Sequence, residues 1–406
     1  MEPAERIDPI EPVEPIEPTD AIEPTEPIER IDPTDPIERI EPWLAMERTD
    51  LPDAFERATF TWSSRRGPPD HVATGRPRQF CTNLVGIMGI MRRLMPPTRI
   101  DVHQHFWPEP FLEALARRTA PPLLVRAGDA WVLRLEGEPD YPFDARLHDR
   151  LRRERSLDDD GVDIALLSLS SPFGIETLPA AEAAELLTAW HSGVFHMGDR
   201  FAVWGAVALA EPDPADVEEL LDCGAVGISL PAGALATPQA IEQVEPLLRV
   251  LDDRDRPLLV HPGPAPAGGP GAAWWAPTVP YIGELHAAWH AFAAWGRPAL
   301  RGLRVVFVAL AGAAPLHIER LASRGGPVAD ALHPLTFYDT SSYGPRAVEA
   351  VGSVVGIDQL VHGSDRPMLG RPLDPGVGAA GDHALRVTNP ARLLAGDPVG
   401  AVGAGA

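Results

Sequence analysis

The sequence predicts an α/β protein, a (β/α)8 TIM barrel preceded by a disordered N-terminal extension. Three observations carry that prediction. Between residues 98 and 396, short apolar runs alternate with amphipathic stretches, eight of each, which is the count of a closed barrel. Histidine or aspartate stands at the end of the first, fifth and eighth apolar runs, where such barrels place their chemistry. The first 50 residues have a different texture, with a period of three rather than two or 3.6.

That opening segment carries an acid at every third position from Glu2 to Glu41, usually followed by proline. Its prolines exclude a helix, and a period of three fits a polyproline II rod with its acids in one stripe. Such a segment buries too little apolar surface to offset its ordering entropy. Residues 1–50 are therefore an acidic, proline-rich low-complexity segment, and 51–97, which show no sustained period, are a linker also expected to be disordered. The barrel occupies 98–396, and 397–406 form a flexible tail.

Within the barrel, strands are expected near Arg99 to Val102, Asp163 to Leu169, Phe201 to Ala208, Ala225 to Leu230, Pro257 to Val260, Arg304 to Ala309, Thr336 to Asp339 and Gln359 to His362. Helical periodicity fills the gaps: Glu109 to Thr119, Ala180 to Asp199, Pro214 to Leu221, Pro238 to Asp252, Tyr281 to Trp295, Pro315 to Arg324, Pro345 to Gly356 and Asp382 to Leu394. Residues 120 to 155 stand out as an insertion. Two apolar runs around Gly128 read there as a small hairpin able to cover the barrel mouth.

Composition removes several chemistries. All 35 basic side chains are arginine, so a phosphate-binding lysine, a Schiff base and a carbamylated lysine between two metals are excluded. The net charge of −23 argues against nucleic acid, whose phosphates need a basic surface. Two cysteines, Cys81 and Cys223, are too few for a disulfide framework and form no CxxC pair, so the cytoplasm is the default compartment. The run Leu84 to Met91 is too short to span a bilayer, and no membrane association is expected. A small molecule remains as the expected partner.

The first strand ends in Asp101-Val-His103-Gln-His105, and residues two apart on an extended segment face the same side. The fifth ends in His261-Pro262 and the eighth in His362-Gly-Ser-Asp365. Three imidazoles and one carboxylate converging on a barrel axis suit Zn²⁺ or another divalent transition metal.

These residues also carry a resemblance. The runs Ile100-Asp-Val-His-Gln-His-Phe-Trp-Pro108, Leu157-Asp-Asp-Asp-Gly-Val-Asp-Ile-Ala-Leu-Leu-Ser168, His261-Pro262, Val361-His-Gly-Ser-Asp-Arg-Pro367 and Asn389-Pro-Ala-Arg-Leu393 resemble the amidohydrolase-related metalloenzymes of the amidohydrolase 2 type. The similar branch includes aminocarboxymuconate semialdehyde decarboxylase and related non-oxidative decarboxylases. The resemblance implies one divalent metal held by His103, His105, His261 and Asp365; with Zn²⁺ expected from the donor set, Asp365, next to the metal-activated water, is the expected catalytic residue, taking the water's proton and returning it to the leaving group. It also brings a homodimer as an expectation. One departure is marked: where the similar proteins end their sixth strand in H-x-G-G-x-x-P, this chain has Ala309-Leu-Ala-Gly312-Ala-Ala-Pro315. An acid/base group at that place is worth on the order of 10²- to 10⁴-fold in rate.

The main expectation is hydrolysis of a small carbonyl or carboxylate compound through a metal-activated water, since the metal's own contribution survives the loss of that histidine. Decarboxylation is the alternative, and a metal-binding barrel without turnover is a third. Further candidates are Arg366, whose fork suits a substrate carboxylate, Trp107 as an aromatic wall with Trp274 and Trp275, and Asp339 as partner of a ligand histidine. His317 and His362 are weighed as substitutes for the missing imidazole. His286 and His290, spaced i, i+4 without the glutamate of HExxH, read as a helix face near the barrel rim, and Gly376-Val-Gly378-Ala-Ala-Gly381 follows no strand and does not mark a dinucleotide site.

Overall fold

The computed structural model describes residues 98–128 and 130–395. The expectations for 1–97 and 397–406 lie outside the described residues.

Eight parallel strands follow one another around a single sheet: β1 (Ile100–His105), β5 (Ile164–Ser168), β6 (Phe201–Ala206), β7 (Gly227–Pro231), β8 (Leu258–His261), β9 (Val305–Phe307), β10 (Thr336–Asp339) and β11 (Leu360–Val361). Each is buried along its whole length, as expected of strands with a packed interior on one side and helices on the other. Registers such as Ile100 opposite Ile164 and Tyr338 opposite Leu360 keep the carboxyl ends of the strands at one face. The first and last strands meet through the backbone. Val102 N donates to His362 O at 2.9 Å, Asp365 N to His103 O at 2.9 Å, and His105 N to Arg366 O at 2.7 Å. The (β/α)8 architecture is the one read from the sequence.

The main helices outside the barrel are α1 (Glu109–Arg117), α2 (Arg150–Asp160), α3 (Ala180–Val194), α4 (Pro214–Asp222), α5 (Pro238–Asp253), α6 (Pro280–Ala291), α7 (Ile318–Ser323), α8 (Pro345–Val355) and α9 (Asn389–Ala395). Their starts follow local chemistry: Asp149, Asp213 and Thr237 accept N–H groups of the first turns of α2, α4 and α5. One core fills the barrel and its jacket of helices, and a second lies among α1, α3 and the insertion. Among the described residues, no helix is long and apolar enough to cross a membrane.

Two local expectations change. The insertion is a three-stranded antiparallel sheet, β2 (Leu123–Ala127), β3 (Ala130–Arg134) and β4 (Tyr141–Phe143), rather than a hairpin. Pro142 hid the third strand, because proline argues against a strand unless it lies at an edge, and it does lie there, opposite Val132. The sixth barrel strand stops at Phe307 instead of Ala309. Ala309, Leu310, Ala311, Gly312 and Ala313 all have positive φ, a left-handed turn that no extended strand contains.

Candidate metal centre

Each residue of the predicted ligand set stands at the carboxyl end of a strand. His103 and His105 lie on β1, whose register shifts between Asp101 and Gln104. His261 ends β8, and Asp365 follows β11 in a left-handed conformation with φ 56°. Their ligand atoms all lie within 4.8 Å of one another. His103 Nε2 is 3.1 Å from His105 Nε2, and Asp365 Oδ1 is 3.1 Å from His105 Nε2 and 3.8 Å from His103 Nε2. The three imidazoles stand nearly perpendicular to one another, with centroids 4.9 to 5.0 Å apart.

The hydrogen bonds behind the rings decide what the front nitrogens offer. His103 Nδ1–H donates to Asp339 Oδ2 at 2.7 Å, His105 Nδ1–H to Ser168 O at 3.0 Å, and His261 Nδ1–H to Pro262 O at 2.9 Å. With every Nδ1 used as a donor, each Nε2 carries a lone pair toward the common point. Lone pairs do not approach to 3.1 Å unless something positive lies between them. A tetrahedral cation with ligands at about 2.0 to 2.1 Å separates its ligand atoms by roughly 3.3 to 3.4 Å, and the observed spacings bracket that value. The donor set therefore fits one divalent transition metal. A proton is the smaller alternative, and His103 is accordingly pushed up to about 9. Burial opposes its charge, but Asp339, the hydrogen bond to it, Asp365 and Asp101 outweigh burial. Burial and the neighbouring imidazoles hold His261 well below its ordinary value.

Asp339, fully buried, is anchored on all sides. Its Oδ1 accepts from Ala309 N at 2.7 Å, Ser341 N at 3.0 Å and Ser341 Oγ at 2.6 Å. Burial favours the neutral acid, yet His103 and these hydrogen bonds hold the carboxyl below its usual range. Gly363 lets the carboxylate sit there, since a Cβ at that position would overlap Asp339 Oδ2 and lie 3.0 Å from the His103 Cβ.

Three supporting residues escaped the sequence reading. Asp101, with no exposed surface, accepts from His103 N and Ser364 N, both at 3.1 Å, and from Gln104 Nε2 at 2.7 Å, tying β1 to the loop after β11. Buried Arg153 donates to His105 O at 3.0 Å and to Gln104 Oε1. Tyr281 on α6 donates its hydroxyl to Glu138, between β3 and β4, and so fastens the insertion to the barrel. Aspartate before HxH was visible in the sequence; the other two depend on long-range packing that no spacing encodes.

The remaining candidates lie as follows. Trp107 is 3% exposed, stacks on His148 at 4.4 Å and donates its indole N–H to Ser170 Oγ at 3.2 Å, so it is a packing residue beside the mouth rather than an open wall. The Arg366 guanidinium is closed on Asp160 by bonds of 2.6 and 2.9 Å, so the fork expected for substrate is already taken. His362 is buried, 3.8 Å from Asp101. His317 is exposed. Trp274 is 60% exposed and Trp275 begins a short helical turn. Of the four candidate ligands, His103, His105 and His261 are 2%, 1% and 6% exposed, whereas the Asp365 side chain is 21% exposed. The open side of the centre is thus the aspartate side.

No protein-family model matches the chain, and no curated protein matches it. Solved structures do. IDCase from Metarhizium anisopliae, in its apo form, is 20% identical with a TM-score of 0.63, covering 74% of this chain and 98% of its own. A 5-carboxyvanillate decarboxylase mutant from Novosphingobium aromaticivorans, solved with manganese and 3-methoxy-4-hydroxy-5-nitrobenzoic acid, is 18% identical with a TM-score of 0.57, covering 74% of this chain and 97% of its own. The 2,6-dihydroxybenzoate decarboxylase from Rhizobium is 18% identical with a TM-score of 0.54, covering 73% and 98%. The chain thus shares its fold with the amidohydrolase-related decarboxylases that its strand-end motifs resemble.

Proposed function

We propose that this barrel is a metal-dependent, non-oxidative decarboxylase acting on a small hydroxylated aromatic carboxylate. The observation that carries the proposal is the three-imidazole, one-carboxylate cluster at the carboxyl ends of β1, β8 and β11, with Asp365 on its open side. The named activities of the solved neighbours support decarboxylation above the hydrolysis expected first. His103, His105, His261 and Asp365 would hold the metal. When bound, a divalent cation supplies Lewis-acid polarisation of a substrate oxygen.

The chain's own residues then have defined tasks. Asp339 fixes the His103 tautomer and ring orientation, and the Ser168 and Pro262 carbonyls do the same for His105 and His261. Asp365 is the group placed to move a proton. Despite burial, which favours its neutral form, the hydrogen bond to His105 and the charges of the three imidazoles hold its carboxyl below the usual range. As a carboxylate it accepts the proton of the substrate's ring hydroxyl, then returns it to the ring carbon that bears the carboxylate. The bond from that carbon to the carboxylate breaks, its electron pair restores the aromatic ring, CO2 leaves, and the phenolate takes a proton from water.

The test is direct. The purified full chain should bind one divalent metal at the barrel centre and release CO2 from hydroxybenzoates, and Asp365→Ala should lose both the turnover and the metal of that centre. An N₃O set accepts zinc and manganese alike, so chelation followed by reconstitution with each identifies the metal that restores turnover. Lactone or amide cleavage without CO2 release would establish the hydrolytic reading instead. That reading retains one supporting observation, the methyl group of Ala309 at the place of the histidine in the resembled H-x-G-G-x-x-P motif.

A further inference from the structure

Outside the barrel axis, three more histidines have been brought together. His286 and His290 lie one turn apart on the same face of α6, with ring centroids 4.7 Å apart. His317, which immediately precedes α7, places its ring 4.8 Å from that of His286 and at 81° to it. Each spacing is close to the 4.9 to 5.0 Å between the imidazoles of the barrel centre, but both contacts run through His286, whereas the three barrel rings all pair with one another. The sequence alone left the pair on α6 as an ordinary helix face, because nothing in the spacing says that residue 317 returns to it.

We propose that His286, His290 and His317 form a second divalent transition-metal site, separate from the barrel centre and built for zinc, nickel or copper. A common ion requires the exposed His317 ring to turn toward His290, and the surroundings of the three rings favour it. His290 Nδ1–H donates to His286 O at 2.9 Å, which fixes the tautomer and leaves Nε2 as a lone-pair nitrogen, the arrangement found behind each ring of the barrel centre. Two imidazoles spaced i, i+4 on a helix reach one metal ion without backbone change. His317 is exposed and His286 and His290 are half-buried, so the third ring is free to turn toward the other two and solvent supplies the remaining positions. No hydrogen bond or ion pair among the described residues joins any of the three to a carboxylate. Burial, together with the neighbouring rings of His290 and His317, lowers the proton affinity of His286 and so removes the main competitor for its lone pair.

An all-imidazole set also predicts selectivity. Neutral nitrogen ligands suit zinc, nickel and copper, whereas manganese and magnesium prefer carboxylate and water. The two centres are therefore expected to differ, with manganese entering only the one that contains Asp365. The position has a structural consequence as well. A metal there ties α6 to the segment Ala309–His317, whose first residue donates its N–H to Asp339, the partner of His103.

The test uses the untagged full chain stripped with chelator. Calorimetric titration with Zn²⁺ should show two equivalents per chain, and titration with Mn²⁺ one. His286→Ala and, separately, His317→Ala should each reduce zinc to one equivalent while manganese binding is unchanged, and His103→Ala should remove the manganese site only. Should His103→Ala fail to fold, Cu²⁺ electron paramagnetic resonance on the folded His317→Ala protein serves instead, with the signal of the second equivalent expected to disappear. A single zinc equivalent in the wild-type chain overturns the proposal. So does a second equivalent that survives His286→Ala or His317→Ala, the latter because it would reduce the site to an unspecific pair on one helix.

Discussion

Asp339 is the residue on which the centre turns, because one carboxylate fixes His103 through Oδ2 and the loops after β9 and β10 through Oδ1. Asp339→Asn keeps the volume but replaces a charged acceptor with an amide, and metal affinity is expected to fall by roughly 10- to 100-fold, as measured by chelator competition. Gly363→Ala should act through the same oxygen, since its methyl needs the space Asp339 Oδ2 fills. A variant that retained full metal affinity would show that the carboxylate can move without cost. Ala309 poses the opposite question. Histidine tolerates the left-handed backbone better than branched residues do, so Ala309→His should be accommodated and should raise decarboxylation by about tenfold or more if an acid/base group is what that position lacks. Unchanged turnover would mean that Asp365 already supplies all the proton transfer the reaction uses.

At the scale of elements, the left-handed run from Ala309 to Ala313 is the least ordinary piece of backbone in the barrel. Left-handed conformations cost L-residues about 1 to 2 kcal/mol each, and only Gly312 among the five is exempt. Gly312→Ala adds that cost and sets a Cβ 2.8 Å from Ile282 O on α6, so a loss of about 2 to 3 kcal/mol is expected in urea unfolding. The insertion makes a different prediction. Tyr281→Phe removes the one hydroxyl that satisfies Glu138, whose carboxyl burial already holds above its usual range. Amide exchange in β2, β3 and β4 should accelerate while that of the barrel strands stays the same. Equal exchange in the variant would mean that apolar packing alone seats the small sheet. Neither element was fully legible in the sequence. Alternation and strand-end histidines exposed the barrel and the cluster of three histidines and one aspartate because burial and convergence follow from periodicity and position. The left-handed turn follows from tertiary contacts that override local propensity, and an edge proline masked β4.

For the whole molecule, burial of ionisable groups sets the response to acid. Burial first, then the charges of Arg153 and His105, lower His148 to about 3, and burial lowers His191 to about 3 as well. Between 6.5 and 3 the unfolded chain therefore binds protons that the folded chain refuses, and stability falls as pH drops through that window, by about 1.4 kcal/mol per pH unit for each histidine. Glu176 works the other way. Burial raises it to about 7, so the folded chain keeps a proton that the unfolded chain releases near 4.5, and stability falls as pH rises from 4.5 through 7. Folding stability should peak near neutrality, and Glu176→Gln should gain about 3 kcal/mol at pH 8 relative to pH 4. A pH-independent effect of that substitution would remove the titration from the explanation. Side-chain direction marks where legibility ended at this scale. The sequence shows Trp107 and Arg366 near the mouth, but only the packed molecule shows the indole stacked on His148 and the guanidinium closed on Asp160.

The seam between β1 and β11 has a further consequence for how the molecule matures. Two of the candidate metal ligands come from the first barrel strand and one from just beyond the last, so the four donors coexist only after nearly the entire chain of the barrel has been made and the last strand has docked. Joining positions so distant in sequence is slow and entropically costly. A metal that waits for all four ligands would then act as a completion signal, binding tightly to the finished barrel and weakly to any chain that stops short of residue 365. Metal uptake during refolding should accordingly lag behind the formation of helical structure.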